Sequence, residues 1–151
     1  MSASFAAPMT RALEEARAAA RRGETPVGAA ILSASGRPLA AAGNRTRERA
    51  DPSAHAEMLA LRAACALAGS ERLPGAVLFV TLEPCAMCAG AIAAARVARV
   101  VYGAPDPKSG GVDHGARVFD RPQSHHRPEV IGGVREAECA ALLRDFFAAR
   151  R

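Results

Sequence analysis

The sequence predicts an α/β protein, a three-layer α/β/α sandwich with a mixed five-stranded sheet. Helical and strand-like apolar patterns alternate along 151 residues without a repeat, a low-complexity tract or a second domain, and strands alternating with helices pack as a sheet covered on both faces. The stretch from Tyr102 to Glu129 is long enough for a crossover containing a helix, so the last two strands should run parallel. Half of the residues are apolar, enough for one domain, 1–151, built on one core.

The elements follow in order. Met9, Leu13, Ala16 and Ala20 share one helical face. Residues 26–33 and 38–42 read as strands joined by a turn at Ser35-Gly36. A helix is expected over 53–68, started by Asp51-Pro52-Ser53, with Met58, Leu61, Cys65 and Ala68 inward. A buried strand over 76–82, a helix over 85–95 and a strand over 97–102 come next. A short helix at 115–119 and a short strand at 129–131 precede a closing helix, 137–149, that should bury Cys139, Leu142, Leu143, Phe146 and Phe147. Arg150 and Arg151 would complement the negative C-terminal end of that helix.

Chemistry concentrates at the starts of two of these helices. His55-Ala56-Glu57 and Pro84-Cys85-Ala86-Met87-Cys88 offer an imidazole, a carboxylate and two thiols. With Pro84 at the first helical position, Cys85 and Cys88 at i and i+3 share one face of a first turn. The helix dipole there favours thiolate. His55 and Glu57, at i and i+2, would not share a mid-helix face, so both belong in an opening turn pointing end-on at the metal. Three protein ligands, His55, Cys85 and Cys88, leave a position for water, as in catalytic rather than structural zinc sites. Glu57 stays free to carry protons. A lone CxxC also suits a redox pair or half of a zinc knuckle, so the weight rests on the combination. His-x-Glu together with Pro-Cys-x-x-Cys is the signature of zinc nucleobase deaminases.

Several stretches carry a wider resemblance: Pro26 to Ala29, Asn44-Arg45, Asp51 to Ala60, Val80 to Ala91, Val100 to Ala104 and Glu138 to Leu143. Across nearly its whole length the chain resembles the bacterial tRNA-specific adenosine deaminases, whose fold is cytidine deaminase-like. The resemblance implies hydrolysis of adenosine to inosine at the wobble position of a tRNA anticodon, with one Zn2+ per chain, in a homodimer. It also implies that Asn44 reads the base. Without it, Asn44 reads as an ordinary turn residue after Gly43. A tight hairpin between the last two strands would instead point to the small-nucleoside cytidine deaminases. The chain departs from the family pattern over 111–119, Gly-Val-Asp-His-Gly-Ala-Arg-Val-Phe, and at Ser124 to Glu129. Loops around a site decide what enters it, so the departure bears on substrate choice.

Pro84 and Glu83 are expected to shape the site through backbone carbonyl and turn geometry. Lys108 and Ser109, before Gly110-Gly111, form either a flexible phosphate-contacting loop or an exposed turn. His125, His126 and Arg127 would touch RNA or be solvated, and Arg45, Arg47 and Arg49 would steer phosphates or line a connector. The net charge of +5 and pI near 9.7 suit a polyanionic partner. Lys108 is the only lysine, however, and an Ala- and Arg-rich composition also follows from GC-rich coding. The absence of Trp argues against an extended base-stacking platform. Cys65 and Cys139 read as buried, inert thiols. No apolar run approaches the roughly 20 residues of a membrane span, and Met1 to Pro8 lacks a basic start, so a cytoplasmic location is expected. Two other readings remain open: a deaminase of a free base or nucleoside such as guanine or cytosine, and a non-catalytic zinc or RNA-binding partner subunit.

Overall fold

The computed structural model describes residues 2–150, with side chains from Phe5 onward; Met1 and Arg151 lie outside the described residues. Helix α1 (Ser2–Arg21) leads into strands β1 (Gly28–Leu32) and β2 (Pro38–Gly43), followed by α2 (Ala56–Ala68) and β3 (Val77–Leu82). Next come α3 (Ala86–Ala94), β4 (Arg99–Ala104), a 3-10 turn (Val118–Asp120), β5 (Glu129–Ile131) and α4 (Glu136–Ala148). The strand order is β2-β1-β3-β4-β5. β1 is antiparallel to both β2 and β3, whereas β3, β4 and β5 are mutually parallel, so the last two strands run as expected.

Successive residues of β3 and β4 feed opposite layers, because side chains alternate across a strand. Leu78, Val80 and Val100 join Leu61 of α2 and Ile92 of α3 in one core. Phe79 and Val101 join Phe5, Met9 and Leu13 of α1 and Cys139 of α4 in the other. Both faces are covered, which is why these strands read as continuous apolar runs. The second layer is tight. A Cβ on Gly103 would stand 2.3 Å from the Cys139 sulfur, so α4 seats on β4 only because that strand position has no side chain.

Four expectations change. α2 begins at Ala56, with His55 as its N-cap, rather than at residue 53. Asp51 instead folds back locally, its Oδ1 accepting from the Ser53 N–H at 2.8 Å and the Ser53 hydroxyl at 2.7 Å. Its inward face is Ala56, Leu59, Ala60, Leu61 and Ala64; Met58 and Cys65 are half-buried and Ala68 is exposed. Small alanines let α2 lie close on β1 and β2, so the buried stripe is not the one with the largest apolar side chains.

The expected helix at 115–119 shrinks to the 3-10 turn, since Arg117 sits in the left-handed region (φ 44°) and interrupts a helical path. In α4, Cys139 and Phe146 are buried, Leu142 and Leu143 half-buried, and Phe147 is 47% exposed. Phe147 lies about 100° around the helix from Phe146 and falls outside the face that buries Cys139 and Phe146. Arg150 closes the helix, donating to the Phe146 carbonyl at 3.2 Å and lying over its ring.

Candidate active site

Both metal-binding segments sit at helix starts on the same edge of the sheet. Strands β2 and β3 end beneath them, and α2 and α3 begin there, with His55 as the N-cap of α2 and Cys85 as the N-cap of α3. Neither cap residue uses its side chain on its own helix. Pro84 stands one residue before the cap, not at the first helical position, and its carbonyl accepts the Gly111 N–H at 2.8 Å. The α2 start is closed from outside: buried Asn44 accepts the Ala56 N–H on Oδ1 at 2.8 Å.

The result is a three-donor cluster. His55 Nδ1 lies 3.6 Å from Cys85 Sγ and 3.4 Å from Cys88 Sγ, and all three ligand atoms fall within 4.8 Å of one another. Tetrahedral zinc with bonds of about 2.0 Å to nitrogen and 2.3 Å to sulfur would separate those donors by about 3.5 Å. The distances therefore fit. A hydrogen bond from Cys88 brings the Cys85 thiol down to about 4, helped by His55. The Cys88 thiol is pushed up, first by that same bond to Cys85 and then by burial. His55 is raised by its own hydrogen bond to Cys85. One thiolate surrounded by groups that keep their protons is a site where a dication can replace those protons.

Glu57 lies beside the cluster and is only 4% exposed. Burial pushes its carboxyl up to about 7, partly offset by a hydrogen bond from its own backbone and by His55. It belongs to a cleft of about 260 Å³ lined by Thr25, Val27, Asn44, Thr46, Leu82, Glu83, Asp106 and Ser109, with His55 and Cys85 at its floor. Among the described residues no other group of three His, Cys, Asp or Glu side chains converges in this way.

The other singled-out residues separate. Asn44 and Ser109 line the cleft; Pro84 is buried and does not line it, although its neighbours Glu83 and Cys85 do. Lys108 is exposed next to Ser109, its backbone N–H tied to Asp106 Oδ1 at 3.2 Å. His126 is half-buried, its Nε2 2.7 Å from the Val97 carbonyl, and Arg127 is exposed in an ion pair with Asp120. Neither of them lines the cleft. Cys139 is buried and held up to about 11 by that burial, whereas Cys65, expected buried, is half-buried at the edge of α2.

Sequence reasoning passed over Thr25, Val27, Thr46, Leu82 and Asp106 as cleft residues, and Glu24 altogether. Buried Glu24 accepts the N–H groups of Arg47 at 3.1 Å and Glu48 at 2.8 Å, tying the Asn44 loop to the end of α1. Thr25 and Val27 flank a proline just before a strand, a pattern shared with any loop. Only the placement of that loop against the cluster gives them meaning.

Residues 5–104 match the model of the cytidine and deoxycytidylate deaminase zinc-binding region. The chain belongs to this deaminase family. Within the family, the tRNA-specific adenosine deaminase of Agrobacterium fabrum is 54% identical over 143 residues, 95% of this chain and 93% of that protein. A structure from a study of A-to-I editing by tRNA:A34 deaminases at the wobble position of transfer RNA superposes with a TM-score of 0.87 at 53% identity, covering 89% of this chain and 97% of that one. A guanine deaminase from Nitrosomonas europaea is more distant, with a TM-score of 0.75 at 28% identity over 93% of this chain and 82% of that one. The family, its fold and its zinc-binding region agree with the geometry: the cluster of His55, Cys85 and Cys88 fits a zinc site.

Proposed function

We propose that this protein hydrolyses adenosine to inosine and ammonia at the wobble position, 34, of a tRNA anticodon. The observation that carries the reading is buried Glu57 beside the His-Cys-Cys cluster, on a chain so similar to tRNA deaminases over nearly its full length. When bound, zinc supplies Lewis-acid activation of water at neutral pH. Glu57 takes one proton from the attacking water and delivers it to the ring nitrogen next to the attacked carbon, then takes the proton of the new hydroxyl on that carbon and gives it to the amine, which leaves as ammonia. Burial raises the Glu57 carboxyl above its usual range, which favours its acceptance of a proton. Asn44 has already committed Oδ1 to Ala56, so what it offers a purine is its amide N–H2, a donor. Ser109 faces the base or its neighbour from the opposite wall, with Pro84 shaping the turn between Glu83 and Cys85, while Lys108, His126 and Arg127 meet the surrounding anticodon loop.

A tRNA substrate supports a cytoplasmic location. Among the described residues no helix is long and apolar enough to cross a membrane. A homodimer is supported by α3, which is apolar all round: Cys88, Ala89, Ile92 and Ala93 face inward while Met87 is 41% exposed and Gly90 and Ala94 border an open groove. A helix apolar on every side belongs in an interior, and a second copy supplies one here. Ala94→Glu should turn a dimer into a monomer in sedimentation; an unchanged dimer would place the interface elsewhere.

The functional reading is tested by incubating the zinc-loaded protein with an anticodon stem-loop bearing adenosine at the wobble position, and with free guanine, cytosine and adenosine. Inosine in the stem-loop is expected. Turnover of a free base with no inosine in the RNA would replace the tRNA reading with the free-base one and leave the zinc site intact.

A further inference from the structure

Glu83 is fully buried, yet no element of the chemistry above uses its side chain. Its carboxylate is ringed by donors from one segment, the loop between β4 and the 3-10 turn. Oε1 accepts the Asp106 N–H at 3.0 Å and lies 2.7 Å from His114 Nδ1. Oε2 accepts the N–H groups of Val112 at 3.2 Å, Asp113 at 2.9 Å and His114 at 3.0 Å. Burial opposes ionisation, but these donors outweigh it and hold the carboxyl below its usual range.

The loop is shaped to meet this group. A Cβ on Gly110 would stand 2.5 Å from Glu83 Oε2 and from the Asp106 carbonyl; one on Gly111 would stand 2.5 Å from the Ala86 nitrogen. Both glycines are buried, so the Gly-Gly pair serves close approach and is not an exposed turn. The segment so fastened carries Asp106 and Ser109, which form one wall of the cleft opposite Asn44.

We propose that Glu83 is a positioning residue for the substrate, its carboxylate clamping loop 106–114 so that Asp106 and Ser109 hold the nucleotide in register over Glu57. This rests on the tRNA deaminase reading. Both oxygens receive N–H groups, so an amide in this place turns a donor towards donors. Glu83→Gln is therefore a severe change despite its shape, whereas His114→Ala removes one bond of five and should be mild.

The experiment compares wild type, Glu83→Gln, His114→Ala and Gly110→Ala as zinc-loaded proteins, by amide hydrogen exchange and by steady-state kinetics on the wobble-adenosine stem-loop. In Glu83→Gln, amides of 106–114 should exchange about tenfold faster or more, while those of β3 and β4 keep wild-type protection. Zinc content should stay at that of wild type. KM for the stem-loop should rise about tenfold with kcat within about threefold. Gly110→Ala pushes the loop off an intact Glu83 and should reproduce the pattern, so it carries the test if Glu83→Gln does not fold. Unchanged exchange in 106–114 overturns the clamp. A loosened loop with unchanged KM, or a loss confined to kcat, overturns the positioning role. Failure of both variants to fold would make Glu83 a folding residue and overturn it equally. If wild type forms no inosine in the stem-loop, the functional reading fails, and the exchange data still decide whether Glu83 holds the loop.

Discussion

The floor of the cleft and its walls are built on different physics. The floor is set by apolar packing: α2 and α3 are pressed on the sheet by Ala56, Ala60, Ala89 and Ile92, all fully buried, and their starts bring His55, Cys85 and Cys88 together. The walls are loops with little core of their own, each fastened by one buried carboxylate, Glu24 beneath the Asn44 loop and Glu83 beneath 106–114. The reacting atoms therefore stand on the rigid part of the molecule, while the surfaces that select substrate can change without disturbing the metal.

Damage to the floor should be the most severe. Cys88→Ala removes a ligand that is wholly buried, so bound zinc should fall to near zero and inosine formation should be lost. Its thermal midpoint should drop as well, because metal binding is coupled to folding. Metal analysis with a melting curve checks both, and full zinc retention would break the ligand assignment. Ile92→Ala empties a fully buried position under α3 and should cost about 2–5 kcal/mol in urea unfolding. A negligible cost would mean that packing does not fix the floor.

Asn44 joins the two regions, since it lines the cleft and caps α2. Asn44→Ala leaves the buried Ala56 N–H without its acceptor and should cost about 1–3 kcal/mol while raising KM for the stem-loop. A change in KM with no change in stability would leave Asn44 only its contact with the base. The smallest effects belong to the outer rim. Arg127→Ala and Lys108→Ala should weaken RNA binding modestly, and each should reduce the slope of log affinity against log salt by about one. An unaltered slope would remove both from the RNA surface.

The floor was legible in the sequence because its chemistry is local. His55 and Glu57 lie within three residues, Cys85 and Cys88 within four, and the strands beneath are uninterrupted apolar runs. The walls were not. Glu24 and Glu83 act on N–H groups more than 20 residues away, and a buried carboxylate has the same letter as a solvated one. The face of α2 was misjudged because alanines carry little apolar weight in a pattern, yet their smallness seats the helix. Likewise Gly110-Gly111 reads as a flexible turn until the Glu83 carboxylate and the start of α3 are seen to occupy the space of both missing Cβ atoms.

The most direct test of the account is Glu57→Gln, which alters the proton carrier and leaves the zinc ligands in place. Zinc content, stem-loop affinity and inosine formation should be measured on one preparation. The account predicts about one zinc per chain and near wild-type RNA affinity, with inosine formation reduced by at least about a hundredfold. Substantial inosine formation by that variant would contradict it, because another group would then have to move the proton.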